Sequence, residues 1–187
     1  MYILVPICII TESTMDPPDI IYRASWGARP ALSTNRLYEE PAPFVVLHES
    51  AGSFCYHKVS CKAEVQSIQD HQMTIQGWDD IGYNFMIGGE GTIFEGRGWI
   101  LAGSHITTRM YINNRSIGIC LLGKFDDRHP PAAQLMALEA LISFGVENGY
   151  IKKDYHLIGH RQIKNNNCPG KKMYSVLRLM PHYDPNL

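Results

Sequence analysis

Phe44-Val45-Val46-Leu47-His48 is a short apolar run, rich in β-branched residues, that ends on a histidine and follows Pro41 and Pro43. Alternation between apolar and polar side chains disappears when neither face of a strand meets water, so the run predicts a fully buried strand with His48 at its end. Outward from it, Lys62 to Gln76 places Val65, Ile68, Gln72 and Ile75 near helical spacing, and Gly77 is positioned to stop that helix. Asn84–Ile87 and Thr92–Glu95 flank Gly88-Gly89-Glu90-Gly91, a hairpin pattern. Ser116–Leu122 is a second buried strand, closed by Gly123. Pro130-Pro131 opens a helix running to about Asn148, with Leu135, Leu138, Leu141 and Ile142 as its core stripe and Gly149 at its end. Tyr155–Ile158 is a short strand, and Pro169 opens a last helix with Met173, Val176, Leu177 and Met180 on its inner face. Strands and helices interleave. The expected class is α/β, one domain with a central mixed β-sheet flanked by about three α-helices.

The chain has 187 residues, enough for one sizeable core with little left for a second. A formal net charge of −1 removes the electrostatic argument for nucleic acid or an anionic membrane as partner. No apolar run approaches the roughly 20 residues that span a bilayer. Residues 1–19 form an apolar and linker segment, and 20–187 the domain. Tyr2–Ile10 is apolar but carries Pro6 and has no basic residue before it, which leaves open a truncated or atypical leader and a disordered cytosolic start.

Five cysteines divide between structure and chemistry. Cys8 falls in the apolar start. Cys55 and Cys61 are close enough for a small-loop disulfide. Cys120 ends an apolar run and is expected to be a buried small hydrophobe. Cys168 remains, a short loop after His160 and just before Pro169. His48, His160 and Cys168 are therefore candidate zinc ligands, and two imidazoles with one thiolate leave one tetrahedral position open, as catalytic sites do. Eight histidines and five cysteines also yield such triples by chance, so spacing alone leaves a structural role for each one open.

Several further motifs occur in order: Arg23 through Trp26-Gly27-Ala28, Gly77-Trp78-Asp79-Asp80-Ile81-Gly82-Tyr83-Asn84-Phe85, Phe94-Glu95-Gly96-Arg97-Gly98-Trp99, Ser116-Ile117-Gly118-Ile119, Gly159-His160-Arg161-Gln162 and Cys168-Pro169-Gly170. Together with Val45–His48, Cys55 and Cys61, they resemble the peptidoglycan recognition proteins from about Ile20 to His182. That family shares its fold with phage-type amidases. The resemblance implies that His48, His160 and Cys168 bind Zn²⁺ and that Tyr83 assists. The implied chemistry is metal-assisted hydrolysis of the N-acetylmuramoyl-L-alanine amide of bacterial peptidoglycan, with the Tyr83 hydroxyl donating to the developing oxyanion. It also implies that Gly77, Trp78 and Arg97 select stems containing meso-diaminopimelic acid, whose extra carboxylate a guanidinium can grip bidentately. His105 is assigned to the groove wall.

Two positions depart from the family pattern. Asn166 stands where its enzymes carry Thr or Lys, so an amide donor replaces a hydroxyl or a charge at an oxyanion-stabilising position. Glu49 replaces a His after the first ligand, and is expected on the opposite side of the strand end; were it to reach the metal instead, it would compete with water or perturb its pKa. The rival readings are a non-catalytic peptidoglycan or muropeptide receptor on the same fold, and a structural zinc protein, which would need a fourth protein ligand. A disulfide and the formal glycosylation sequon Asn114-Arg115-Ser116 favour a secreted, extracellular protein over a cytoplasmic one, and the resemblance implies a role in innate immunity.

Overall fold

Six strands form one mixed sheet among residues 18–107 and 109–187, which the computed structural model describes. They are β1 (Ile20–Ile21), β2 (Ala42–Glu49), β3 (Phe85–Ile87), β4 (Ile93–Glu95), β5 (Ser116–Leu121) and β6 (Ile151–Gly159), in the order β1-β4-β3-β5-β2-β6. All neighbours pair in parallel except the hairpin β3–β4, which is antiparallel as its glycine-rich turn predicts. The apolar N-terminal segment lies outside the described residues apart from Pro18 and Asp19.

The opening run is the strand expected of it, and its side chains divide between two layers. Val45 and Leu47 join Leu138 and Leu141 of α4 (Ala132–Glu147) and Met173 and Leu177 of α6 (Lys171–Leu177) in the larger core. Val46 points the other way, to Ile106 and Ile158. That second face is also covered by α2 (Lys58–Asp70), whose Val65 packs with Trp26, Met86 and Cys120. Each fully buried Val or Leu contributes about 1.5–3 kcal/mol, so the two faces together fix which way every β2 side chain points. A one-residue slip would exchange them.

The three longer helices are those expected, with shifted limits. Helix α2 begins four residues before Lys62, and Cys61 in its first turns is joined to Cys55 by a disulfide. Its end is a π-helical turn, His71–Ile75, in place of a uniform helix to Gln76. The wider turn lets Gln72 accept the Trp78 N–H on its carbonyl and the Gly82 N–H on its side chain. Strand β6 is nine residues long, beginning before the expected Tyr155, because Lys152, Lys153 and Asp154 interrupt its apolar pattern while its backbone pairs on. The one-turn helices α1 (Arg23–Trp26), α3 (Met110–Asn113) and α5 (His160–Ile163) were not expected; one turn is too short to show a period. Pro43 lies inside β2, where the ladder to β6 shifts register between Ala42 and Phe44, the irregularity that accommodates a residue with no N–H.

Closing the short Cys55–Cys61 loop removes about 2–3 kcal/mol of unfolded-state entropy. Cys55→Ser with Cys61→Ser should therefore lower the unfolding free energy by about that amount in a urea titration. An unchanged midpoint and slope would show that the bridge does not constrain the unfolded chain.

Candidate metal centre and adjoining groove

The register of β2 against β6 assembles the centre. Leu47 pairs with Gly159 in parallel, so the residues that follow, His48 near the end of β2 and His160 at the start of α5, stand side by side with ring centroids 4.6 Å apart. The third member returns on the short loop after α5: Cys168 Sγ lies 3.8 Å from His48 Nδ1. Ligand atoms of His48, His160 and Cys168 all fall within 4.8 Å of one another, and these three are the only His/Cys/Asp/Glu members of that group among the described residues. A tetrahedral zinc with bonds of about 2.0–2.3 Å holds its ligands roughly 3.3–3.8 Å apart, so the triad needs only a small contraction.

The surroundings suit a metal. Burial pushes His48 well below its ordinary value and His160 down to about 4, which keeps both imidazoles neutral with a lone pair to give. His160 Nε2 is buried without a hydrogen-bond partner. Burial pushes the Cys168 thiol up to about 12, opposed by the Glu49 backbone N–H, which donates to Sγ at 3.3 Å. That amide is placed to steady a thiolate, the form in which a cysteine binds a cation. These are donors that zinc accepts.

The other expected site residues are not all equivalent. The Tyr83 ring lies 5.3 Å from that of His48. Burial pushes its phenol well above the usual range, and the nearby Cys120 and Cys168 push the same way, so Tyr83 is a protonated donor. Asn166 Oδ1 accepts the Cys168 backbone N–H at 2.8 Å, so this side chain shapes the ligand loop and keeps its Nδ2 for donation. Glu49 turns away from the triad: its Oε2 accepts the Phe125 N–H at 2.6 Å on the far side of the strand end. Gly77, Trp78 and Arg97 come together around a cavity of about 250 Å³, with Gly103, Ser104 and Asn114 among the other walls. Arg97 is pinned there, Nε donating to the Ile81 carbonyl at 2.7 Å and Nη1 to that of Ala102 at 3.0 Å. Nη2 has no partner among the described residues. His105 does not line this cavity; it is buried behind His48, with 3.0 Å between His48 Nε2 and His105 Nδ1. The sequon fares differently in the fold, because Asn114 lines the cavity and Ser116 is fully buried, so a glycan on Asn114 would stand in the groove.

The sequence profile described as N-acetylmuramoyl-L-alanine amidase matches residues 38–171. Peptidoglycan-recognition protein SC2 of Drosophila melanogaster is 40% identical over 164 residues, covering 88% of this chain and 87% of that protein. The chain belongs to the peptidoglycan recognition protein family. Drosophila PGRP-LB superposes with a TM-score of 0.84 at 38% identity, covering 88% of this chain and 95% of its own. Peptidoglycan recognition protein LE, solved in complex with tracheal cytotoxin, a monomeric diaminopimelic acid-type peptidoglycan, superposes with a TM-score of 0.85 at 33% identity, covering 89% and 96%. No helix among the described residues is long and apolar enough to cross a membrane.

Sequence reasoning missed two supports of this family's site. Arg161 donates to the carbonyls of Asn167 and Pro169, lies over the Tyr174 ring, and its backbone N–H meets the Cys168 carbonyl, so it clamps the loop that carries the thiol. Its position beside His160 was the available signal. Ser116 was legible only as half of a sequon, yet its hydroxyl reaches the buried His105.

Since the Glu49 carboxylate serves Phe125, Glu49→Gln should leave zinc stoichiometry unchanged and affinity within about threefold, measured by competition against a chromogenic chelator. A tenfold or larger loss would make Glu49 part of the metal centre.

Proposed function

We propose that this chain is a zinc-dependent N-acetylmuramoyl-L-alanine amidase, acting on bacterial peptidoglycan or its muropeptides and preferring stems with meso-diaminopimelic acid. The observation that carries the reading is the convergence of His48, His160 and Cys168 without a fourth His, Cys, Asp or Glu among the described residues, beside a protonated phenol. A structural zinc site would close with a fourth protein ligand.

His48, His160 and Cys168 would hold the ion. Bound zinc supplies Lewis acidity, lowering the pKa of a water toward about 7 and polarising the scissile carbonyl. The remaining work falls to the chain. Tyr83 keeps its proton because its phenol is buried, and would donate it to the oxyanion that forms when the amide carbon becomes tetrahedral. Asn166 Nδ2 is a second, uncharged donor on the ligand loop, which stabilises that oxyanion less than a cation would. Arg97 supports the substrate preference: with Nε and Nη1 committed to carbonyls, its Nη2 is left to meet a carboxylate. Burial lowers Arg97 from its ordinary value while Asp80 and Asp79 raise it, and a guanidinium so placed remains a cation. The Cys55–Cys61 bridge supports work in an oxidising, extracellular setting, in keeping with a role in innate immunity.

Zinc-loaded protein incubated with a diaminopimelate-type muropeptide should release the free stem peptide, read by mass spectrometry, and Cys168→Ser should abolish the release. Binding of the muropeptide without release would replace the enzyme with a recognition receptor on the same fold.

A further inference from the structure

His105 and Ser116 lie behind the metal centre, and neither belongs to the ligand triad. The His48 and His105 rings meet edge-on, with centroids 4.9 Å apart and planes at 76°, and the 3.0 Å separation joins His48 Nε2 to His105 Nδ1. On its other side, His105 Nε2 is 3.2 Å from Ser116 Oγ. The Ser116 hydroxyl is already committed, donating to the Ile112 carbonyl at 2.7 Å, at the end of α3. These contacts are buried: His105 is 5% exposed, and His48 and Ser116 1% or less.

One proton order satisfies every contact. A carbonyl only accepts, so the Ser116 proton points to Ile112 and the oxygen receives the His105 Nε2–H. A neutral imidazole carries one N–H, so His105 Nδ1 is then a lone pair and receives the His48 Nε2–H. The remaining nitrogen of His48, Nδ1, is left as a lone pair, and Nδ1 is the atom that faces Cys168 Sγ. Reversing the order would set two donors or two acceptors against each other in a buried space.

The slot is built for the ring. A Cβ placed on Gly118 of β5 would stand 2.3 Å from His105 Cδ2, and one on Gly103 would stand 2.4 Å from the same atom. Any side chain at either position would push His105 off the line between Ser116 and His48. The close approach explains why the strand that pairs with β2 carries a glycine next to Val46.

We propose that His105 and Ser116 form a positioning relay that fixes the proton on Nε2 of His48 and so presents its Nδ1 lone pair to the metal. The relay rests on the zinc reading of the triad. Partners of this kind orient a ligand ring and raise its basicity, and their loss typically weakens metal binding about 10–100-fold. His105 is therefore a positioning residue for the metal centre.

Two measurements test it. Long-range ¹H–¹⁵N spectra of the zinc-free parent should show both His48 and His105 protonated on Nε2; a proton on Nδ1 of His48 overturns the relay whatever the metal does. In chelator competition, His105→Leu and Ser116→Ala should each weaken zinc binding by about 10–100-fold. His105→Asn, which keeps an acceptor at the δ position, should recover most of that loss. Thermal melting of the zinc-free variants separates folding from binding, and should His105→Leu fail to fold, Ser116→Ala, lacking one hydroxyl, decides. Equal zinc affinity in the parent and in the folded variants overturns the relay while leaving the triad intact. A parent that takes up no zinc overturns the metal reading itself, and the zinc-free spectrum still reports the proton order.

Discussion

The parallel register that sets Leu47 beside Gly159 is the constraint on which the rest of the site depends. It places His48 and His160 at the same height at the carboxyl ends of neighbouring strands, where an open sheet leaves a crevice and where α/β proteins hold their ligands. Two kinds of burial hold the register. Val45 and Leu47 are committed to the layer of α4 and α6, and Val46 to the opposite layer, so a slip of β2 by one residue would turn His48 into the core and put Leu47 or Glu49 in its place. Packing on both faces thus does the work that a loop-borne site would have to do by ordering itself.

Electrostatics follow from the same placement. The strand ends are dry enough to keep two imidazoles neutral and a phenol protonated, and those are the states useful to a cation-binding, proton-donating centre. The same dryness raises the free energy of a bare Cys168 thiolate, which the Glu49 amide offsets only in part. A cation therefore has the most to offer at Cys168. Farther along the groove, two backbone carbonyls fix the plane of Arg97 without neutralising it, while Asp80 and Asp79 oppose the effect of burial on its charge.

Much of the fold was legible because buried strands and long amphipathic helices leave periods in the sequence, as in Phe44–His48 and Leu135–Ile142. The candidate ligand triad was only half legible. Residue types and spacing offered His48, His160 and Cys168 as one of several triples, and the resemblance to a family, not the spacing, singled them out; the fold then brings the three together. What stayed hidden was short or non-local. One-turn helices have no period, and the π-helical end of α2 is set by Gln72 reaching Trp78 and Gly82. His105 could be assigned to a wall from its neighbours in sequence, but its place behind His48 depends on two glycines from separate segments, Gly103 and Gly118, approaching the same ring. Glu49 was expected across the strand end from His48, and there alternation along β2 was enough.

The central claim is a zinc centre with three protein ligands and one position left for water or substrate. X-ray absorption at the zinc edge of the loaded protein tests it directly. The account predicts one sulfur at about 2.3 Å, two imidazole nitrogens at about 2.0–2.1 Å and a single further light atom, with the sulfur lost in Cys168→Ser. A shell closed by a third imidazole or a second sulfur, or protein that retains no zinc after purification in its presence, would contradict it.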